Sequence, residues 1–452
     1  MKIIIIGAGE VGFNIAQKLS EENHDVVLIE KDPDKIKSIN DELDIQVISG
    51  SGTSPMLLKR AGIKDADMLV TATDSDEANL IACMLAQNLS STILKVARIR
   101  NQEYLNETKL FGKDFLGINQ VIAPERLMAK TILSLFEIPC ATEVINFEKG
   151  RVKLIGFIVT KDSPFSDRKL LSLEGEEKKL HIGAIVRGDE VIIPSGKDII
   201  LAGDLIYVVV KYNELDEVLK LFQVQDEITR RILIVGGGQI GTALALTLDT
   251  SRFNVKIIEN DKDKCTQLAE KLDRVLVING DGSDKALLQE VNIKDTDFIV
   301  ATTKDDEKNI LMSLLAKRLG VKRTITKVSK LSYVSLLSTI GLDTVISPRL
   351  SAVQAILQYI RRGKIISVIP LKGEHAEAIE AEAMETSRIT DKPLAKVKFP
   401  KGAIVGAIIR GVDIIIPRGD SIVRPKDRLI IFALKKALPK LEELLTVKLE
   451  YF

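Results

Sequence analysis

The sequence predicts an α/β protein with two doubly wound, parallel-sheet domains, each followed by a small α+β domain. Three observations carry that expectation. The chain is internally duplicated, short apolar runs alternate with helical stretches, and a glycine-rich turn follows the first run of each copy. At 452 residues the chain also exceeds what one hydrophobic core normally serves.

The duplication is legible by eye. KIIIIGAGEVGFNIAQKL at 2–19 returns as RILIVGGGQIGTALALTL at 231–248, and VVLIEKD at 26–32 returns as VKIIEND at 255–261. The segment at 50–80 maps onto 280–310, and 123–133 onto 347–357. GAIVRGDEVIIPSGKDIILAGDLIYVV at 183–209 likewise resembles the segment at 406–432. A repeat this long is a domain pair, not a solenoid unit. Boundaries are expected near Pro139, at 227–230 and near Gly363, giving domains at 1–138, 139–228, 229–362 and 363–452.

Each element follows from its pattern. The runs at 3–6, 26–29, 46–48, 68–72, 93–97 and 120–123 are continuously apolar and separated by stretches of helical character. That is the signature of parallel strands covered on both faces. The smaller domains are β-rich and broken by GD, PSG, PRG and PKD turn signals, with hairpins expected at 187–189 and 410–413.

Composition excludes several classes. Lys and Arg number 64 against 63 Asp and Glu, so no general basic face for nucleic acid is expected. Cys83, Cys140 and Cys265 lie far apart, which argues against a disulfide scaffold or a zinc site. With three histidines, His24, His181 and His375, histidine catalysis is a poor fit; His181 reads as a turn residue and His375 as part of an acidic stretch, both at the surface. Cys83 reads as core. No apolar run reaches the roughly 20 residues of a spanning helix. The apolar run at 3–6 meets Gly7 and Glu10 at once, so it reads as a strand rather than a signal peptide, and a cytoplasmic location is expected.

Two dinucleotide fingerprints carry the chemistry. The first is Gly7, Ala8, Gly9, Glu10, Val11 and Gly12, a GxGxxG between a strand and a helix. In this Rossmann arrangement the first glycine makes the tight turn, the second lets backbone approach a pyrophosphate, and the third permits close helix packing. Glu30 ends the second strand, 18 residues after Gly12, where a carboxylate binds ribose hydroxyls and repels a 2′-phosphate. The second fingerprint is Gly236, Gly237, Gly238, Gln239, Ile240 and Gly241, with Glu259 at the same spacing. The acids favour NAD(H) over NADP(H) and leave ATP and ADP open, since all share adenosine.

Further residues are expected to complete each pocket. The segments 50–53 and 280–283 follow the third strand. Thr73 with Asp74, and Thr303 with Lys304, follow the fourth strand at the edge where open α/β sheets bind ligands. Arg98 is expected to approach phosphates, with Lys330 in the corresponding place. The runs at 74–77 and 304–308 read as helix capping and surface rather than metal ligands. Neither catalytic residues nor a metal site are expected: no His–Asp pairing, active-site lysine motif or metal cluster follows the cofactor pockets, so the site reads as a sensor.

These residues resemble the family of regulators of potassium conductance, the RCK domains, in tandem. The resemblance covers nearly the whole chain and is most specific in the paired GxGxxG/Glu sets, the G(S/D)G(T/S) segments, and TDSDEAN and TKDDEKN. It implies binding of NAD(H) and ATP or ADP by the fingerprint residues, Glu30, Ser51, Thr73, Asp74 and Arg98, and their second-copy equivalents, among them Asp281. Ser51 departs from the aspartate commoner in the family. The resemblance further implies a regulatory subunit gating a TrkH/TrkG-type membrane potassium transporter from the cytoplasmic face, as a homotetramer of eight RCK units. An NAD-dependent dehydrogenase, an NAD-sensing transcription regulator and a structural ring with vestigial pockets are the alternatives. They differ in turnover, DNA binding and nucleotide binding respectively.

Overall fold

A computed structural model describes residues 1–445 except 91, 174–179, 189, 223–229, 331–332, 334–336, 338–339, 361–364, 372–374 and 386. The expected boundaries at 227–229 and Gly363, and also Asp189, lie outside these residues.

In the first Rossmann domain the strands are β1 (Lys2–Ile6), β2 (Asp25–Glu30), β3 (Gln46–Ser49), β4 (Met68–Thr71), β5 (Leu94–Arg98) and β6 (Gln120–Ile122). They pair in parallel in the order β3-β2-β1-β4-β5-β6. The order reverses at β1, so the carboxyl ends of β1 and β4 frame a crevice, the usual ligand position in such sheets. Helices α1 (Glu10–Glu21), α2 (Pro33–Glu42), α3 (Pro55–Arg60), α4 (Asp76–Leu89), α5 (Gln102–Asn106) and α6 (Pro124–Glu137) intervene or follow. Their starts are written locally. Asp32, Ser54 and Ser75 cap α2, α3 and α4 through their side chains, and prolines open α2, α3 and α6. Ile4, Ile6, Val27 and Leu69 are buried in the sheet against Ala82 and Ala86 of α4, so the apolar runs are the core.

The first C-domain is a five-stranded antiparallel sheet of β7 (Glu143–Phe147), β8 (Val152–Ile158), β9 (Leu180–Arg187), β10 (Glu190–Ile192) and β11 (Leu205–Lys211), closed by α7 (Leu215–Leu221). The β9–β10 hairpin turns at Gly188, whose φ is +59°.

The second Rossmann domain repeats the first: β12 (Arg231–Val235), β13 (Asn254–Glu259), β14 (Leu276–Asn279), β15 (Phe298–Ala301), β16 (Arg323–Lys327) and β17 (Thr344–Ile346). Their order, β14-β13-β12-β15-β16-β17, is the same. Its helices are α8 (Gln239–Leu248), α9 (Lys262–Ala269), α10 (Lys285–Glu290), α11 (Asp306–Arg318) and α12 (Pro348–Ile360). The second C-domain contains β18 (Ile365–Pro370), β19 (Ala376–Glu382), β20 (Ala403–Arg410), β21 (Asp413–Ile415), β22 (Arg428–Leu434) and α13 (Leu438–Leu445), with the other expected hairpin at 410–413.

The chain divides into two compact units, one of residues 1–130 and 231–357, the other of 131–230 and 358–452. Of the three divisions, two fall inside α6 and α12 and the third lies between Arg230 and Arg231. Each unit thus combines one domain type from both repeats. In the second unit the two C-domains share one core, in which Phe432 packs so close to Gly183 that a Cβ there would enter its ring. His181 is not a surface turn residue: it lies within β9, and its Nε2 is buried without a hydrogen-bond partner. His375 is exposed, as expected, and Cys83 is fully buried on α4.

Candidate functional site

Each glycine of the first fingerprint has a distinct physical task. Gly7 adopts φ +94°, and a Cβ there would press on the Thr73 backbone at 3.0 Å. This contact brings the β4 end against the β1 end. A Cβ on Gly12 would strike the Gly7 carbonyl, so α1 packs directly on the turn. Gly236 (φ +105°) against Thr303, and Gly241 against the Gly236 carbonyl, repeat both contacts.

The middle glycines differ. Gly9 and Gly238 have extended backbone (φ −63° and −72°) that any residue adopts. A Cβ on Gly9 would find its nearest neighbour, the Asp74 carboxylate, at 4.0 Å, and one on Gly238 would meet nothing within 4 Å. Neither conformation nor packing requires glycine here. The bare surface is the cradle that a pyrophosphate needs at a helix N-terminus.

The acids close the loops. Glu30, 6% exposed, accepts from Ala8 N at 2.5 Å through one oxygen and from Lys31 N at 2.8 Å and Asp32 N at 3.0 Å through the other. Glu259, 7% exposed, accepts from Gly237 N at 2.6 Å and Asp261 N at 3.0 Å. Each carboxylate therefore stands at the end of the second strand beside the phosphate loop, where a ribose hydroxyl would be received. Val11 and Ile240 are buried on α1 and α8 and hold the helices to the sheets.

At the rim, Arg98 pairs with Asp74 at 3.3 Å, and Arg100 donates to the Asp74 carbonyl. Gly50 N donates to Glu30 O at 2.7 Å, which ties the loop after β3 to the acid; the Ser51 hydroxyl bonds Thr53 at 2.8 Å. Asp281 accepts from Ser283 N and its hydroxyl, and these hydrogen bonds hold its carboxyl below the usual range. Lys304 is exposed on the loop after β15.

Two corrections arise at this rim. Strand register pairs Met68 with Leu94 and Phe298 with Arg323, so Lys327, and not Lys330, occupies the place of Arg98. Lys330 instead pairs with Glu307 at 2.7 Å. Lys327 donates to the Thr303 carbonyl at 2.9 Å; burial pushes its ammonium below the ordinary value, against the pull of Asp306 and Glu125. Second, the DSDE and KDDE runs are not all surface. Ser75 and Asp305 do cap their helices, but Asp76 and Asp306 are buried. Asp76 accepts from the backbone of Arg100 and Asn101, and Asp306 from that of Ser329 and Lys330.

Sequence reasoning gave no role to Asn79 and Asn309, which end the same motifs. Asn79, fully buried, accepts from Thr73 N at 3.1 Å and Thr73 Oγ1 at 2.7 Å and donates to the Arg98 carbonyl at 2.8 Å. Asn309 makes the equivalent bonds to Thr303 and Lys327. These amides clasp the fourth and fifth strand ends together.

Comparison with known proteins agrees with this fold. The TrkA-N domain matches residues 3–124 and 232–348, and the TrkA-C domain matches 154–223 and 378–446. The Trk system potassium uptake protein TrkA of Halomonas elongata is 36% identical over the full length of both chains. The chain belongs to the TrkA family of potassium uptake proteins. A TrkA homolog of Methanosarcina mazei is 38% identical, covering 98% of this chain and 99% of that one. Among solved structures, the GsuK RCK domain shares the fold with a TM-score of 0.62 at 19% identity, over 98% of this chain and 94% of that one. A GsuK channel bound to NAD also has a TM-score of 0.62, at 19% identity, over 98% of this chain and 78% of that one. In this TrkA-family chain no helix among the described residues is long and apolar enough to cross a membrane.

Proposed function

We propose that this TrkA-family chain is the nucleotide-binding regulatory subunit of a TrkH/TrkG-type membrane potassium transporter, taking NAD(H), ATP or ADP without transforming them. The observation that carries the reading is the bare cradle over Gly9 and Gly238, each beside a buried carboxylate. A scaffold that kept its glycines for packing alone would need Gly7 and Gly12 and their repeats, but not the middle ones. That the fold serves such a ligand elsewhere is consistent with the NAD-bound GsuK channel.

In this reading residues 1–138 and 229–362 bind nucleotide and assemble into a ring against the membrane protein, while 139–228 and 363–452 are the C-domains to which their last helices lead. A ligand shifts a conformational equilibrium only through unequal affinity for its states. Helices α6 and α12 cross from the first unit to the second and are helical covalent links that can carry that shift. One effector typically contributes about 1–3 kcal/mol, so several equivalent pockets are needed for the roughly 5.5 kcal/mol of a near-complete switch. A homotetramer with eight RCK units supplies them. Ile81 and Leu311, at the same position of α4 and α11, are 44% and 65% exposed and offer an apolar surface for assembly.

The test is calorimetric titration of the chain with NADH, ADP and ATP, alongside potassium flux through the co-reconstituted transporter. Glu30→Ala with Glu259→Ala should weaken binding at least about tenfold, the worth of charge-assisted hydrogen bonds to ribose. Unchanged binding, or steady nicotinamide turnover, counts against the proposal.

A further inference from the structure

The first phosphate loop carries an acid where an anion is expected. Glu10 is the first residue of α1, and Gly9 before it supplies no side-chain cap. Its carboxylate therefore lies in the field of the helix's unpaired N–H groups, the field a nucleotide phosphate would use. Glu10 is engaged from outside its own domain. The guanidinium of Arg349, in the first turn of α12 of the second Rossmann domain, forms an ion pair with Glu10 Oε2. The same Nη1 donates to the Ser329 carbonyl at 3.2 Å, just beyond β16. Arg349 is thus anchored on the pocket edge of one domain and reaches the glycine loop of the other. Its side chain remains 34% exposed, open to a ligand.

The second loop has the opposite equipment. Gln239 holds the place of Glu10, so that loop has no acid to neutralise. Glu125, next to the proline that opens α6, holds the place of Arg349, and it is buried with Oε2 lacking a hydrogen-bond partner. Between the copies, a cation thus stands where the other has an anion, and an acid where the other has a neutral amide.

We infer that Arg349 completes the phosphate site of the first Rossmann domain, holding Glu10 until a nucleotide's terminal phosphate takes the carboxylate's place. The first pocket, and not the second, then reads phosphate charge. The inference rests on the nucleotide-binding reading above and names the residue through which one domain senses the other's ligand. The chemistry suits arginine, whose planar fork can pass between carboxylate and phosphate oxygens with little reorganisation. Because the gain grows with phosphate charge, the ranking in this pocket is ATP over ADP over adenosine.

The experiment is titration of the full chain with ATP, ADP and adenosine, comparing wild type, Arg349→Gln and Glu10→Gln. Arg349→Gln should weaken ATP about tenfold at one of the two sites per chain, as expected for a lost charged hydrogen bond. Adenosine affinity should stay where it was, which also reports an intact pocket. Glu10→Gln removes the competing carboxylate and should tighten ATP at the same site. Equal ATP affinity in wild type and Arg349→Gln, or a loss as large for adenosine as for ATP, overturns the inference and leaves nucleotide binding standing. A wild-type chain that binds none of the three nucleotides removes the underlying reading itself.

Discussion

In the first Rossmann domain Asn79 ties Thr73 to the Arg98 carbonyl; in the second, Asn309 ties Thr303 to the Lys327 carbonyl with the same set of hydrogen bonds. Asp76 and Asp306 hold the backbone beyond the fifth strand in the same way. Around these shared clasps the side chains differ. Asp74 faces Arg98 in one pocket, while Lys304 and Lys327 take those places in the other; Arg100 becomes Ser329, Ser51 becomes Asp281, and Glu10 becomes Gln239. Groups that satisfy buried backbone are fixed by the fold, because an unpaired buried amide costs more than most side-chain contacts return. In the nucleotide-binding reading, groups at the rim answer to the ligand and have diverged.

The sharpest way to break this comparison is within one loop. Gly12→Ala and Gly241→Ala drive a methyl group into a carbonyl and should each cost about 3 kcal/mol in calorimetric unfolding. Gly9→Ala and Gly238→Ala should leave unfolding within about 0.5 kcal/mol of wild type and yet abolish nucleotide binding in their own pocket. Equal stability losses at Gly9 and Gly12 would show that the middle glycine also serves packing. Next in size come the clasps. Asn79→Ala strands the Thr73 N–H and the Arg98 carbonyl and should cost about 2 kcal/mol, and Asn309→Ala should cost the same. A clear inequality in unfolding would mean that the two clasps are not equivalent after all.

How much of this was legible depends on where each partner lies. The strand run at 3–6 is observed as Lys2–Ile6 and that at 46–48 as Gln46–Ser49, because continuous apolar sequence between helices has few other uses. The fingerprints were readable because the strand, the turn, the Gly12–Gly7 contact and the following helix are contiguous in sequence, although the Thr73 that Gly7 packs against is not. Asn79 stands in its motif with no role that the sequence can show, since its partner at residue 98 is brought near by sheet order. Lys330 was misassigned for a related reason: the residue after a strand cannot be aligned by eye when only the ladder fixes where the strand ends. Arg349 was visible merely as part of a helix, and nothing local indicates that it meets Glu10 in the other repeat.

The smallest effect separates the two C-domains. His181 in β9 corresponds to Ile404 in β20, so one copy half-buries an imidazole, its Nε2 shut off from solvent, where the other half-buries an alkyl chain. Burial pushes the His181 imidazole down from 6.5 to about 4. The neutral ring is therefore the form the fold retains, and its stability contribution is fully present above about pH 6.5. As the pH falls from there toward 4, the unfolded chain takes up a proton that the folded chain refuses, and stability is lost. Between pH 7 and 5.5 this amounts to about 1 kcal/mol. His181→Ile, which copies the second C-domain, should remove that part of the pH dependence. The check is unfolding of wild type and variant at both pH values. If the two lose stability equally on acidification, His181 is not the group that titrates, and the carboxylates must carry the whole acid response.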